Sequence, residues 1–397
     1  MCRVAPAKSA ERTSTYFHRF LAFAIVRFDV VTESSGINVV LPRFAASQTE
    51  AIDELLTIEQ IEPPETVKLR PGDVLVRVRS ASISFVDFIM MTGQYQHMAS
   101  PPYVPGLEFA GDIIWTGSEV SSFSVGDKVM SDFMTVGPRS KGEYQRSGAW
   151  STFAVAPEAG LYPLPSNFSY DEGCSFLGSY ETAYFALVKR ANLQPGERVL
   201  ITGASGASGM AMVQIAKILG AEVIVTGRSR KKLETVLSAG ADHAIELDSE
   251  NTDGLTDTLR AETKAISNGV GVDAVIDTVG GAIGYSALRT LKFEGRFVIV
   301  GWASNVSESG GRDTFEPDRL PTNIMQMKCL QVMGSPMVIY SMANPEWRSK
   351  QITQVTAWAE EGLLRPHVSH SFPAEDFRNA AHAKFDGDVV GSCVINF

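Results

Sequence analysis

The chain has 397 residues, of which 44% are hydrophobic and 20% charged, the composition of an ordinary globular protein that is too long for a single core. Its formal net charge of -10 argues against the phosphate backbone of a nucleic acid as the main partner. A membrane-spanning helix needs about 20 apolar residues, and no apolar run in the sequence is close to that length, so we expect no membrane partner.

The four cysteines are scattered along the chain and form no CxxC pair. This distribution argues against a disulfide framework and against a cysteine-based zinc site. We interpret the cysteines as small buried hydrophobic residues.

Residues 1–45 are predicted to form an N-terminal extension. Through Phe28 they carry five Arg and Lys residues against one acid, Glu11. This composition is typical of a mitochondrial transit peptide, but the stretch "FHRFLAFAIVRF" also fits a first strand or an extension of another kind. The sequence therefore leaves the compartment open between mitochondrial and cytoplasmic.

Residues 46–170 are predicted to form the first part of a domain of short strands. The segment "DVLVRVRSASIS", residues 73–84, alternates apolar and polar side chains as a half-buried strand does. Turn-rich segments such as "PPETVKLRPGD" separate it from other β-forming runs. A block of many short strands predicts a barrel-like domain.

Residues 171–336 follow a different pattern, in which strands alternate with helices. The strand "RVLIT" precedes a glycine loop and the helix "MAMVQIAKILG", and further strand–helix pairs follow. This alternation predicts an α/β fold with a doubly wound parallel sheet. Residues 337–397 revert to short strands around a helix, so we expect them to return to the first domain.

A loop of small residues follows the first strand of this α/β region. Its members are Gly203, Ala204, Ser205, Gly206, Ala207, Ser208 and Gly209. Small residues at such a turn let backbone N–H groups approach a pyrophosphate, and the following helix adds the positive end of its dipole. Because the loop lies between a strand and a helix, the pattern favours a dinucleotide over a tight turn that binds nothing.

Positive charge follows the second strand of the same unit. An NAD site commonly has an acid about 20 residues after the loop, at the tip of that strand, to bind the ribose hydroxyl. Here Arg228, Ser229 and Lys232 occupy that region, and no acid lies between Val223 and Lys232. These side chains suit the additional phosphate of NADPH, so the sequence favours NADPH over NADH.

The chain from about Glu59 to Phe397 resembles the medium-chain dehydrogenase/reductase superfamily, most closely its zinc-independent quinone oxidoreductase branch. The segments that carry the resemblance lie in family order: "ASISFVDFIMMTGQY", "PPYVPGLEFAGDI", "VGDKVM", "GASGASGMAMVQIAKILGAEVI", "GVDAVIDTVGG", "GLLRPHVSHSFP" and "GDVVGSCVINF". The resemblance implies a Rossmann domain inserted into a GroES-like catalytic domain, and a homodimer.

The zinc-dependent members of this superfamily carry a catalytic Cys early in the first domain and a His in a "GHE" motif. This chain has Asp87 near the expected Cys and Leu107 in "GLE" at the His position. No cluster of soft or imidazole ligands is apparent in the sequence, so we expect no metal.

The resemblance also implies site residues. Tyr95 in "TGQY" matches a Tyr implicated as proton donor in related enoyl reductases, and Ser84 stands where many members have an Asn that contacts substrate. Thr182 in "ETAY" matches a Thr near the nicotinamide. The backbone around Gly301 and Gly334 is expected to line the nicotinamide side.

These observations predict an NADPH-dependent reductase of a small-molecule quinone or α,β-unsaturated carbonyl. One alternative is a mitochondrial trans-2-enoyl-CoA or enoyl-ACP reductase. The N-terminal composition and Tyr95 favour this alternative. Another, of a different class, is a non-catalytic NADPH-binding protein of the crystallin type. The long polar segment 303–323 is expected to form a loop near the active cleft.

Overall fold

The computed structural model describes residues 35–247, 252–305 and 318–397. The strands are β1 Gly36–Val40, β2 Thr57–Ile61, β3 Asp73–Ile83, β4 Phe109–Thr116, β5 Lys128–Ser131, β6 Phe153–Pro157, β7 Leu161–Pro163, β8 Arg198–Ile201, β9 Glu222–Gly227, β10 His243–Glu246, β11 Val272–Asp277, β12 Leu291–Ile299, β13 Gln331–Gly334, β14 Val368–Pro373 and β15 Ser392–Asn396.

The α-helices of the described residues are α1 Gln48–Glu50, α2 Phe85–Met91, α3 Tyr170–Gly173, α4 Leu177–Tyr184, α5 Ala207–Ile218, α6 Arg230–Ser238, α7 Thr252–Ile266, α8 Gly281–Leu288, α9 Thr322–Met327, α10 Met337–Ala343, α11 Pro345–Glu360 and α12 Phe377–Phe385. In this part of the chain no helix is both long enough and apolar enough to cross a membrane.

A mainly antiparallel sheet of seven strands combines the two ends of the described chain. Its order is β14-β15-β3-β4-β5-β7, with β6 paired to β3. The long strand β3 lies at its centre, and its Val74, Val76 and Val78 are fully buried. Because β15 pairs with β3, the C-terminal strands complete the sheet that the first strands begin.

The α/β region forms a parallel sheet in the order β10-β9-β8-β11-β12-β13. Strands β8 to β10 run outward on one side of β8, and β11 to β13 run outward on the other side. The crevice at the carboxyl ends of β8 and β11 is therefore the switch point at which such sheets bind ligands. This arrangement confirms the predicted fold class.

The N-terminal extension ends earlier than the predicted residue 45. Residues 36–40 form β1, which pairs with β2, and Val39 and Leu41 are fully buried. The backbone N–H of Leu41 also donates to the carbonyl of Tyr103 at 2.9 Å. Residues 36–45 therefore belong to the folded domain, whereas the basic stretch that suggests targeting lies outside the described residues.

The polar segment 303–323 falls largely outside the described residues as well. Within it, residues 303–305 form a single 3-10 turn, and α9 begins at Thr322.

Candidate active site

The glycine loop takes the conformation that its small residues allow. Gly203 has φ +63°, and a Cβ placed there would lie 2.4 Å from the hydroxyl of Thr278. A Cβ on Gly209 would lie 2.6 Å from the Cα of Ala204, because the first turn of α5 packs directly on the loop. A side chain at either position would push α5 or β11 away from β8.

Gly206 differs from these two glycines because the space beside it is open. It is the N-cap of α5 with extended φ and ψ angles, and a Cβ there would have only the carbonyl oxygen of Gly203, at 3.6 Å, within 4 Å. Packing within the protein therefore does not require glycine at this position. Close approach by a ligand to the start of a 12-residue helix does account for it.

The carboxyl end of β11 supports the loop through hydrogen bonds. The Thr278 hydroxyl donates to the carbonyl of Thr202 at 2.8 Å, and the Thr202 hydroxyl donates to Asp277 at 2.5 Å. Burial raises the pKa of Asp277, although backbone N–H groups of Val279 and Gly280 also bond this carboxyl group. Sequence reasoning missed this Thr–Asp pair, which fixes the loop against β11.

The predicted nicotinamide-side glycines lie at the ends of neighbouring strands. Gly301 follows β12, its N–H donates to the carbonyl of Asp277 at 3.2 Å, and a Cβ there would lie 3.1 Å from the carbonyl oxygen of Thr278. Gly334 ends β13, and its carbonyl accepts a hydrogen bond from Arg190 at 2.8 Å. Gly301 therefore borders Asp277 and Thr278, which support the loop, whereas Gly334 lies one strand further out.

The cations after β9 meet the C-terminal segment of the chain. The ammonium of Lys232 donates to the carbonyl of Gly387, and the Arg228 guanidinium reaches within 4.0 Å of the position that a Cβ on Gly387 would occupy. Burial lowers the pKa of Lys232, and the nearby charge of Arg228 lowers it further, while Asp388 opposes both effects. Arg228 and Lys232 therefore lie close enough to repel each other.

An acid that sequence reasoning missed also lies here. Glu246 ends β10 beside Gly227, and its carboxylate accepts a hydrogen bond from the backbone N–H of Arg230 at 2.9 Å. Ser229 is the N-cap of α6 and makes no side-chain capping bond, so Glu246 satisfies the helix terminus instead.

The segment before β15 lies against the glycine loop. The N–H of Gly391 donates to the carbonyl of Ser205 at 2.7 Å, and Gly391 has φ +69°. The Lys384 ammonium donates to the Gly391 carbonyl at 3.1 Å, and burial lowers the pKa of this lysine to about 8. Both sheets therefore contribute residues beside the loop.

Tyr95 is held by a buried arginine that sequence reasoning missed. Arg139 is 7% exposed and donates from Nη2 to the Tyr95 hydroxyl at 2.8 Å. Its guanidinium also lies 5.1 Å from the centre of the Tyr95 ring and 5.2 Å from that of Phe133. Tyr95 packs against the same apolar cluster that contains Ala204 of the glycine loop.

Ser84 caps the helix that precedes Tyr95. Its hydroxyl accepts from the N–H of Asp87 at 3.4 Å, and the Asp87 carboxylate accepts from the N–H of Ser84 at 2.8 Å. This reciprocal capping box gives Ser84 a structural role at the start of α2. Burial raises the pKa of Asp87 to about 6.

A second buried acid links the Tyr95 side to α4. The N–H of Gly178 donates to Glu108 at 2.7 Å, and the hydroxyl of Thr182 donates to the carbonyl of Gly178 at 2.7 Å. Burial raises the pKa of Glu108 to about 8, while the positive charge of Arg139 opposes the shift. Thr182 thus lies one helical turn from Gly178, whose N–H bonds the acid of the "GLE" motif.

An arginine whose side chain is only 11% exposed joins α4 to the first sheet. Arg348 on α11 donates to both oxygens of Asp132 at 2.7 and 2.8 Å, and to both oxygens of Glu181 at 2.8 and 2.9 Å. Burial alone lowers the pKa of Arg348, but these hydrogen bonds and charges raise it overall.

These features fit an NAD(P)-type dinucleotide. The loop Gly203–Gly209 offers an open position at Gly206 and a helix terminus for a pyrophosphate. Within the described ranges, no three His, Cys, Asp or Glu side chains are arranged to hold a metal ion.

Comparisons with known proteins agree with this architecture. Residues 207–348 match the family model described as zinc-binding dehydrogenase, and residues 70–166 match the alcohol dehydrogenase GroES-like domain. Quinone oxidoreductase-like protein 2 of Bos taurus is 32% identical over 82% of this chain and 84% of its own length.

Solved structures show the same fold. A probable oxidoreductase from Mycobacterium abscessus has a TM-score of 0.72 at 27% identity, covering 91% of this chain and 99% of its own. A mycobacterial protein solved in complex with NADPH has a TM-score of 0.73 at 21% identity, covering 91% and 100%.

We expect Gly206→Ala to fold normally but to bind dinucleotide at least about tenfold more weakly, a loss of about 1.4 kcal/mol, because its methyl group enters the cradle. Gly209→Ala should also lower the melting temperature, because its methyl group meets backbone atoms. Calorimetry and NADPH titration by fluorescence quenching measure both effects. Gly72→Ala, which adds its methyl group to open space, is the matched control. Normal binding by Gly206→Ala would contradict the assignment of the cradle.

The pKa of Glu108 predicts how its replacement changes stability with pH. Between pH 4.5 and about 8 the folded state holds a proton that the unfolded state has released, so stability falls as the pH rises. Glu108→Gln removes this loss. The melting temperature of the variant minus that of wild type should therefore be larger at pH 9 than at pH 5, by about 3 °C or more.

Exposed Glu361→Gln serves as the matched control for this measurement. A difference between Glu108→Gln and wild type that stays constant across the pH range would contradict the assigned titration.

Proposed function

Because this chain belongs to the medium-chain dehydrogenase/reductase superfamily, in its quinone oxidoreductase branch, we propose that it is an NADPH-dependent reductase of quinones or α,β-unsaturated carbonyls. The observation that carries the proposal is the hydrogen bond from buried Arg139 to the Tyr95 hydroxyl. It holds a proton-bearing group against the apolar cluster whose members include Ala204 of the glycine loop.

The residues that would hold the cofactor are those of the loop Gly203–Gly209, with Gly301 beside them and Thr182 on α4. When bound, the reduced nicotinamide supplies a hydride, that is, a proton together with an electron pair. The chain's own contribution is to position the acceptor and to exclude water from the crevice.

Tyr95 is the residue that would meet the acceptor carbonyl. Its hydroxyl can donate a hydrogen bond to the carbonyl oxygen, where negative charge develops as the adjacent carbon system takes up the hydride. Electron-poor quinones and enones need only this modest assistance. At the position where zinc-dependent relatives carry a histidine, Leu107 is 5% exposed and offers no metal ligand, which supports zinc-independent chemistry.

The preference for NADPH rests on Arg228, Ser229 and Lys232. The two cations repel each other, and a phosphate between them would relieve that repulsion. Glu246 acts in the opposite direction, because its carboxylate already occupies the N-terminus of α6. We infer that the cations outweigh this acid, since two positive side chains face one exposed carboxylate.

A homodimer is proposed from the edge of the parallel sheet. Among the described residues, β13 is paired only on its β12 side. Exposed apolar side chains flank it, including Met327 at 71%, Phe293 at 60% and Ile339 at 52% exposure. An unpaired edge with flanking apolar surface suits two-fold pairing with a second copy of the chain.

The function is tested by an acceptor screen that follows NADPH and NADH oxidation with a naphthoquinone, a neutral enone and crotonyl-CoA. We expect wild-type protein to reduce the first two with NADPH as the better donor. Arg228→Ala combined with Lys232→Ala should raise the KM for NADPH about tenfold or more and spare NADH. Glu246→Gln should lower the KM for NADPH.

Exposed Lys231→Ala is the matched control for the two cation substitutions. Equal weakening of both cofactors would overturn the NADPH assignment. Preference for crotonyl-CoA would favour the enoyl thioester reductase, and cofactor binding without turnover of any acceptor would favour the non-catalytic protein.

Met327→Glu should convert the proposed dimer into a monomer, because it places two carboxylates in an apolar interface. Light scattering coupled to size exclusion measures the mass. Val125→Glu, a substitution at a site 63% exposed in the first domain, should leave the mass unchanged. A wild-type monomer, or a Met327→Glu dimer, would refute this interface.

A further inference from the structure

Arg139 is an unusual buried charge. Arginine is rarely this deeply buried without a carboxylate partner. Within the described part of the chain, no carboxylate lies within ion-pair distance of its guanidinium, and its buried Nε has no hydrogen-bond partner. The acids Asp87, Glu108 and Glu181 act on it only through longer-range charge.

The guanidinium is instead directed at a phenol. Nη2 donates to the Tyr95 hydroxyl at 2.8 Å, and the guanidinium carbon lies 5.1 Å from the centre of the Tyr95 ring and 5.2 Å from that of Phe133. Phe133 is fully buried, so it cannot move aside without opening the core. Arg139 is therefore fixed from both sides.

This contact determines what the Tyr95 hydroxyl can do. A phenol has one O–H donor and acceptor lone pairs, whereas a guanidinium only donates. Because Tyr95 accepts from Arg139, its own hydrogen is oriented away from the guanidinium. The same positive charge favours any negative charge that develops on the phenol oxygen or on a group bonded to it.

We propose that Arg139 is a positioning residue that holds Tyr95 as a hydrogen-bond and proton donor to the carbonyl oxygen of the acceptor. The inference rests on the proposed reductase function and assigns its acceptor-side chemistry. The O–H bond of Tyr95 breaks as an O–H bond forms on the reduced acceptor, whose electron pair came with the hydride. Water then returns a proton to the phenolate, so each turnover consumes one proton from solvent.

Four variants test the pairing: Arg139→Met, Arg139→Lys, Tyr95→Phe, and the double variant Arg139→Met/Tyr95→Phe. With a neutral enone and NADPH, we expect each single loss, Arg139→Met or Tyr95→Phe, to lower kcat about 100-fold or more. The KM for NADPH should change less than about twofold. Arg139→Lys should recover part of kcat, because it restores a cation near the phenol.

The double variant carries the decisive comparison. If Arg139 acts through Tyr95, removing both should cost no more than removing Tyr95 alone. The proposal would be overturned if kcat of the double variant fell by the product of the two single-variant factors. A loss in Arg139→Met confined to acceptors that bear a carboxylate would also overturn it, because that pattern identifies Arg139 as a direct anchor for anionic substrates.

Folding and function are separated by two further measurements. Exposed Arg146→Met, in the same loop, is the matched control, and NADPH binding reports an intact fold for every variant.

If wild-type protein turns over no acceptor, the reductase function fails, and equilibrium binding of 2-methyl-1,4-naphthoquinone then tests Arg139. The pairing is supported if the double variant binds the quinone no more weakly than the single variants do. It is overturned if the losses of binding free energy add, or if wild-type protein binds no quinone.

Discussion

The structure depends on compensating the charge that is buried where the seven-stranded sheet meets helices α4 and α11. Arg348 on α11 is bonded by two oxygens of Asp132, which follows β5, and by two oxygens of Glu181 on α4. Removing Arg348 would leave the carboxylates of Asp132 and Glu181 buried without their cation, at a cost of about 3–5 kcal/mol. Three elements from distant parts of the chain are therefore restricted to one arrangement.

The position of the candidate catalytic group follows from this arrangement. Phe133 is next to Asp132 in the chain, and its buried ring carries the guanidinium of Arg348 at 5.6 Å and that of Arg139 at 5.2 Å. Arg139 in turn bonds Tyr95. Helix α4, through Arg348, and Tyr95, through Arg139, are thus both held against the ring of Phe133, which keeps their relative position constant.

The sequence predicts the parts of the molecule that local patterns determine. The alternation of strands and helices predicts the parallel sheet, and the spacing of Gly203, Gly206 and Gly209 predicts the cradle, because both depend on neighbouring residues. The alternation does not predict where helices break, since α3 ends at Gly173 and a separate helix, α4, begins at Leu177.

What local patterns could not predict are the buried charges. Arg139 lies in "GPRSKGEYQRSG", whose polarity predicts an exposed loop, yet it is 7% exposed. Its partner Tyr95 is 44 residues away, and Arg348 is 216 residues from Asp132. A charged residue is buried only when distant segments bring compensating groups to it, and a single sequence does not show which distant segments come into contact.

Arg228 and Arg139 therefore act under different physical conditions. Arg228 is exposed, so water and salt screen its attraction for a phosphate, and its effect is local to the start of α6. Arg139 acts in the protein interior, where the effective dielectric is lower and each charge affects several others. Under the proposed function, cofactor preference would therefore change through a few surface substitutions, whereas proton donation by Tyr95 would depend on the buried charges around Arg139 and Arg348.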